Sequence, residues 1–135
     1  MRISVVHPHR VTREVLARTL ARRLNAEVIE FSSIENLLDS SMNYDVFVLY
    51  NMFGREKMDR WEGVKWIRAN KPDALILSMI HRRFFDRRFS PPGSDAILLR
   101  AGEEVERMLA LIQQNLKGKS YILVSGEVGD GNKWS

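Results

Sequence analysis

Short apolar runs recur along the chain and predict strands that are buried on both faces. The most complete run is Asp45 to Tyr50, where one acid is followed by five β-forming residues. A weaker alternation of apolar and polar residues at Ala26 to Phe31 predicts an edge strand. Three further runs predict buried strands at Ile3–Val6, Ala74–Ile80 and Ala96–Leu99.

The segments between these strands have helical periodicity. Thr12 to Leu24 predicts a first helix with Thr12 as its N-cap and an apolar stripe of Val15, Leu16, Leu20 and Leu24. A short helix is predicted at Ile34–Leu38, capped by Ser33. A third helix is predicted at Trp61–Ala69, with core contacts from Val64, Trp66 and Ile67, and a last helix at Glu103–Leu116, with the stripe Val105, Met108, Leu109, Ile112 and Leu116.

Strands that alternate with helices predict βαβ units. Such units form an α/β domain with a parallel sheet, and right-handed crossovers place helices on both of its faces. Open sheets of this class place their sites at the carboxyl ends of the strands. Tyr50 is the residue at that end of the most complete strand.

Composition narrows the functional classes. The 135 residues suit one domain, and 44% of them are hydrophobic. There is no cysteine, which excludes disulfides and thiolate metal sites. We expect a cytoplasmic protein without a membrane partner, because Ile3–Val6 is too short for a signal peptide and no run is long enough to span a bilayer. The net charge of +4 is modest and leaves the partner open.

The pattern of strands and helices resembles the receiver domain of two-component response regulators over residues 2 to 116. Arg2–Val6 is similar to the family's first strand, and Phe31-Ser32-Ser33-Ile34-Glu35 is similar to its second strand and helix. Asp45–Tyr50 resembles the third strand, Gly63–Ala69 the third helix, and Asp95–Leu99 with Glu103-Glu104-Val105 the last strand and helix. The resemblance implies a receiver-like (flavodoxin-like) five-stranded parallel sheet of order 2-1-3-4-5. We therefore divide the chain into a domain at 1–117 and a tail at 118–135, with a possible extra strand or arm at Tyr121–Val124.

The resemblance also implies a site that this sequence has largely lost. Receivers that accept phosphate have two acids after the first strand, where this chain has His7 and Pro8, or Pro8 and His9 in a shifted register. Tyr50 stands in place of the phosphoacceptor Asp. Ser78 matches the Ser or Thr of the fourth strand, and Leu99 followed by Arg100 replaces the Lys of the fifth strand. The resemblance thus implies a pseudo-receiver without phosphotransfer.

Other groupings of reactive residues are better explained by structural roles. His7, His9 and His81 fall near strand ends and suggest a zinc site, but we favour loop or helix-cap histidines. Ser78 lacks the surroundings of a nucleophile. Gly126–Gly131 is glycine-rich but has no following helix to bind a nucleotide. We expect no enzyme activity, no metal and no cofactor.

Arginines are concentrated in two segments. Those of the first helix lie mostly off its apolar stripe, so a solvated face is favoured over a binding face. The second segment, His81 to Phe89, mixes arginines with aromatic residues: Arg82, Arg83, Phe84, Phe85, Arg87 and Arg88. Three interpretations stay open, namely a solvated segment with its Phe residues partly in the core, a protein interface, and a nucleic-acid surface.

We predict a phosphorylation-independent protein-interaction module in signalling or regulation. The resemblance places the segment at the family's fourth helix, which commonly mediates dimerisation and output. The predicted surface is Arg82–Arg88 with Arg100 and the last helix, and a homodimer through that face is one possible assembly. The alternatives are a nucleic-acid-binding regulator that uses the same arginines, and a small-ligand sensor at the carboxyl edge of the sheet near Tyr50, Ser78 and the loop Asn51–Arg60.

Overall fold

Seven strands and four helices follow one another along the chain in the computed structural model, which describes residues 1–41, 43–50, 62–80, 96–99, 104–114, 121–124 and 132–133. The helices are α1 Arg10–Leu24, α2 Ile34–Leu38, α3 Glu62–Asn70 and α4 Glu104–Gln114. The strands are β1 Arg2–Val6, β2 Glu27–Phe31, β3 Val46–Tyr50, β4 Leu75–Ile80, β5 Ala96–Leu99, β6 Tyr121–Val124 and β7 Asn132–Lys133.

The strands form one sheet of order β2-β1-β3-β4-β5-β6-β7. Every pair from β2 to β6 is parallel, and only the pair of β6 with β7 is antiparallel. The predicted order 2-1-3-4-5 is confirmed, with β2 at the edge. The sheet does not end at five strands, because β6 and β7 extend it beyond β5. The division of the chain at residue 117 stays a prediction.

Alternating side chains of the central strands build two cores. Val46 and Val48 face one side of the sheet, where they join Leu16 and Leu20 of α1 and Met108 of α4. On the other side the core contains two residues of β3 and the buried residues of α2 and α3, namely Phe47, Leu49, Ile34, Leu37, Val64 and Ile67. Burial on both faces explains the continuous apolar run of β3. Helices therefore cover both faces of the sheet, as predicted.

The first helix differs from its prediction in its start and in its buried stripe. It begins at Arg10, so His9 is the N-cap residue and Thr12 lies inside the helix. The Thr12 cap was wrong, and His9 makes no side-chain capping bond. Val15 was expected in the core, but 56% of its surface is exposed. At its other end the helix stops at Asn25, which adopts the left-handed conformation (φ 50°, ψ 47°) that Asn tolerates.

The second and third helices contain one confirmed cap and one wrong core contact. The Ser33 hydroxyl accepts the Asn36 backbone N–H at 3.1 Å, which confirms Ser33 as the N-cap of α2. In α3, Val64 and Ile67 are fully buried, whereas 42% of Trp66 is exposed. Val64 and Ile67 are three residues apart and share a helix face. Trp66 is two residues from Val64 and therefore lies about 200° around the helix from it, which explains the error.

Several predictions concern residues outside the described ranges. They include the loop Asn51–Arg60, Trp61 at the predicted start of the third helix, the segment His81–Phe89, Arg100, Leu116 in the last helix and the glycine-rich segment Gly126–Gly131. Within the described ranges, no helix combines the length and the apolar character that crossing a membrane requires.

Gly63 lies where α3 packs against α2, and it tests how closely the two helices approach. A Cβ atom at Gly63 would lie 2.7 Å from the Ile34 Cγ2 atom. We expect Gly63→Ala to lower the free energy of unfolding by about 1–3 kcal/mol, because this overpacking outweighs the helix propensity of Ala. Urea unfolding measures the change.

The matched control is Gly63→Ala made in an Ile34→Ala variant, in which the clashing Cγ2 atom is absent. In that background Gly63→Ala should be neutral or stabilising. If Gly63→Ala stabilises the otherwise unchanged protein, the close approach of α2 and α3 is contradicted.

Candidate functional site

The candidate site lies where the sheet reverses its strand order, between β1 and β3. The two strands run parallel in the register Val6↔Leu49, so their carboxyl ends meet at one edge. His7 directly follows β1 and Tyr50 ends β3. Their ring centroids lie 4.3 Å apart with the planes inclined by 36°. Parallel α/β sheets bind ligands at this kind of crevice.

His7 is held by hydrogen bonds from its backbone and its ring. Its backbone N–H donates to the Phe31 carbonyl at 3.1 Å, which continues the β1–β2 pairing by one residue. Its Nδ1 atom accepts the backbone N–H of His9 at 3.0 Å. Only 6% of its surface is exposed. His7 was predicted to be a loop or cap residue, and it does lie in the loop between β1 and α1, where it is buried.

The electrostatic surroundings keep His7 neutral. Burial lowers its pKa from 6.5 to about 4, and the nearby His9 and Arg13 act in the same direction. Because Nδ1 accepts a hydrogen bond, the neutral ring has its proton on Nε2. At neutral pH, His7 is therefore an uncharged ring with one N–H donor.

Arg13 of α1 fixes the turn that contains His7. Its Nη1 donates to the His7 carbonyl at 2.9 Å, and its Nε donates to Glu30 at 3.2 Å. The side chain is only 16% exposed. The prediction of a solvated arginine face is therefore wrong for Arg13. Arg10 and Arg23 do lie at the surface, where they pair with Glu14 and Glu106.

Ser78 lies on a different face of the sheet from Tyr50. In the β3–β4 register Tyr50 pairs with Met79, and both residues pack in the core beneath α1 and α4. Ser78 is fully buried and pairs with Leu49, which belongs to the opposite core. The structure brings His7 and Tyr50 together but does not bring Ser78 to them. Pro8 is exposed beside His7.

The remaining predicted site residues are only partly described. His7 and His9 have ring centroids 5.5 Å apart, while His81 lies outside the described ranges. Within those ranges no group of three or more His, Asp or Glu side chains is placed to hold a metal ion. The predicted interaction surface also lies outside the described ranges and stays a prediction. Its residues are Arg82, Arg83, Phe84, Arg87, Arg88 and Arg100.

A pocket of about 310 Å³ opens beside the His7–Tyr50 pair, toward α1 and α4. Val11, Thr12 and Val15 line it from α1, and Met79 lines it from β4. Sequence analysis missed this pocket, although Val11 and Val15 are spaced i, i+4 and mark one helix face. It also missed the Arg13 contacts, because a long side chain that reaches back to a strand leaves no periodic signal.

Comparison of the structure with solved proteins gives one consistent answer. TrrA, a response regulator from Thermotoga maritima solved with Mg(2+)-BeF, matches with a TM-score of 0.72 and 21% identity over 84% of this chain and 97% of that one. The chain has the fold of a receiver domain. The REC domain of RcsB from Salmonella enterica matches with a TM-score of 0.70 and 18% identity, over 91% of this chain and 93% of that chain.

A CheY-like receiver domain protein from Methanospirillum hungatei agrees with these two. It matches with a TM-score of 0.71 and 15% identity over 85% of this chain and 92% of that chain. No family model matches the sequence, and a search of curated proteins found no match. At these identities the comparisons establish the receiver fold, and the function must be argued from the site.

The buried His7 predicts a pH-dependent stability. Between pH 6.5 and about 4 the unfolded chain protonates His7 while the folded chain does not, so stability falls as the pH falls through this window. We expect a loss of about 2–3 kcal/mol from this residue between pH 7.5 and 4.5. Urea unfolding at both pH values, on wild type and His7→Asn, measures the difference.

Asn is the matched replacement, because its side-chain oxygen can still accept the His9 N–H but does not titrate in this range. The variant should lose less stability than wild type on acidification. Equal losses in both proteins, or an NMR titration of His7 near pH 6.5, would contradict the burial of a neutral ring.

Proposed function

We propose that this chain is a receiver-fold domain that works without aspartyl phosphorylation, as a non-enzymatic interaction module in signalling or regulation. The observation that supports this most directly is the packing of His7 against Tyr50 at 4.3 Å. Two aromatic rings meet at the strand ends where the receiver resemblance places carboxylates.

Tyr50 lacks the group that aspartyl phosphorylation needs. Aspartyl phosphorylation forms an acyl phosphate on a carboxylate, and the phenol of Tyr50 contains no acyl group. Its ring also packs with Met79 in the core beneath α1 and α4, so the side chain serves as a core residue. A small phosphodonor therefore finds no carboxylate nucleophile at the end of β3.

The turn after β1 does not supply the side-chain oxygen ligands that a magnesium ion prefers. Magnesium prefers carboxylate, carbonyl and water oxygens in near-octahedral geometry. Pro8 has no side-chain ligand atom, the His7 carbonyl accepts Arg13, and the His7 ring presents nitrogen. The guanidinium of Arg13 also adds positive charge beside the turn. TrrA was solved with Mg(2+)-BeF, and the REC domain of RcsB was solved with the phosphomimetic BeF3-. Magnesium and beryllofluoride are bound by oxygen ligands such as carboxylates, which the side chains of His7, Pro8 and Tyr50 do not supply.

The interaction part of the proposal comes from the sequence and from the comparisons. TrrA has also been solved in complex with the histidine kinase ThkA, and it matches this chain there with a TM-score of 0.71 and 22% identity. In that complex, a protein with the receiver fold is bound to another protein. For this chain we propose that the arginine and aromatic segment Arg82–Arg88, together with Arg100, contacts a protein partner or a second copy of the chain.

The first prediction concerns magnesium and beryllofluoride. We expect ¹H–¹⁵N NMR spectra of this protein to stay unchanged when MgCl₂ and beryllofluoride are added together, because Tyr50 offers no carboxylate to bond beryllium at the end of β3. The receiver domain of TrrA in the same buffer is the positive control. Saturable shifts around residues 7 and 50 would contradict the proposal.

The second prediction concerns the arginine cluster. We expect replacement of Arg82, Arg83, Arg87 and Arg88 by Ala to abolish recovery of protein partners in a crosslinked pull-down, with recovery in wild type resistant to nuclease. The matched control replaces Arg18 and Arg22, two exposed arginines of α1. Sedimentation of both variants reports any self-association through the same segment.

The outcomes separate the three interpretations of the cluster. Partners that disappear after nuclease treatment would indicate nucleic acid, and this binding should weaken steeply with salt. Identical recovery from wild type and the four-arginine variant would show that the segment is a solvated face, and the interface proposal would then be wrong.

A further inference from the structure

The pocket beside His7 and Tyr50 has the place and the size of a small-molecule site. Its volume is about 310 Å³, near the lower end of the roughly 300–1,000 Å³ found for ligand pockets. It lies at the carboxyl edge between β1 and β3, where the strand order reverses, and related doubly wound folds bind ligands at this switch point. Its walls come from α1, α4 and the two central strands β3 and β4.

The lining of the pocket is mostly apolar and contains no formally charged side chain among the described residues. Its apolar part is formed by Val11, Val15, Leu16, Met79, Val105 and Met108. Polar groups come only from Thr12, Tyr50 and His7. An ion that entered would lose its hydration without meeting an opposite charge on this lining. The lining therefore favours an uncharged molecule.

His7 supplies a hydrogen-bond donor for a ligand. Its Nδ1 is already bonded to the His9 N–H, so the ring nitrogen left for a ligand is Nε2 with its proton. No described residue accepts a hydrogen bond from Nε2. The guanidinium of Arg13, which lies near His7, already has Glu30 and the His7 carbonyl as partners. A ligand with a hydroxyl or carbonyl oxygen fits this donor.

The mouth of the pocket leaves apolar surface exposed. Val11 and Val15 are 73% and 56% exposed, and both line the pocket. Besides this pair, the large exposed apolar side chains of the described residues are Met1 and Trp66, which lie elsewhere. A molecule bound here would cover one continuous patch made of these valines and the pocket wall, which gives it a hydrophobic driving force.

We propose that the pocket between α1, α4 and the His7–Tyr50 pair binds a small, uncharged, mostly apolar molecule that accepts a hydrogen bond from His7. Aromatic alcohols and neutral heteroaromatic rings with a pyridine-type nitrogen belong to this class. Met79 and Met108 give the walls flexible side chains that adjust to such rings. The site does not depend on the absence of phosphorylation, so either proposal can fail without the other.

The test uses the full chain with its methionine methyl groups labelled with ¹³C, because Met79 and Met108 line the pocket and Met1 does not. Phenol and benzyl alcohol are the neutral probes, because each has a hydroxyl oxygen that can accept the His7 N–H. Benzoate and benzylamine are charged probes of similar size. We expect saturable shifts of the Met79 and Met108 signals with phenol and benzyl alcohol, no shift of Met1, and binding of the charged probes that is at least about tenfold weaker.

Two variants with the same change in size localise the binding. Val105→Phe adds a ring to the pocket wall and should abolish the phenol shifts. Val28→Phe adds the same ring to another partly buried position against the same core, outside the pocket lining, and should leave the shifts intact. Nuclear Overhauser contacts from phenol to the Met79 and Met108 methyls of wild type give the location even if Val105→Phe does not fold.

Three results would overturn the proposal. One is the absence of saturable shifts with phenol and benzyl alcohol, which would also be the result if another part of the chain filled the pocket. The second is equal binding of neutral and charged probes. The third is unchanged phenol binding by a folded Val105→Phe variant.

Discussion

The structure depends on the burial of β1 and β3 on both faces of the sheet. Each strand sends alternate side chains into two separate cores, so a shift of register by one residue would exchange both sets at once. The pairing of Val6 with Leu49 fixes where the two strands end. The next residue after β1 and the last residue of β3 then meet at one edge, and their chemistry decides what this domain can do.

At that edge the chain places a neutral imidazole against a phenol. Buried carboxylates in this position would need counter-charges or a metal ion, whereas two packed rings need neither. The cation at the turn, Arg13, is instead paired with Glu30 and the His7 carbonyl. The pair of rings and the apolar pocket beside it are compatible with both proposals, namely a receiver fold without aspartyl phosphorylation and a site for neutral molecules.

Much of the fold could be predicted from the sequence, because its strongest signals are periodic. The doubly buried run at β3, the Ser33 cap and the strand order all agree with the prediction. The errors arose where tertiary contacts decide the outcome. Trp66 and Val15 are apolar but lie on outward faces, and Arg13 is polar but is drawn inward by a carbonyl and an acid. Of the site, the sequence supplied the positions of His7 and Tyr50, whereas their ring contact and the pocket required the structure.

The most direct test of the central claim is intact-protein mass spectrometry after incubation with acetyl phosphate and Mg²⁺, followed by hydroxylamine, which cleaves acyl phosphates. An aromatic pair in place of the acidic site predicts an unchanged mass, while an active receiver domain in the same tube gains a phosphoryl group and loses it to hydroxylamine. A hydroxylamine-sensitive phosphoryl adduct on this chain would contradict the claim, because it would require a carboxylate nucleophile that His7, Pro8 and Tyr50 do not provide.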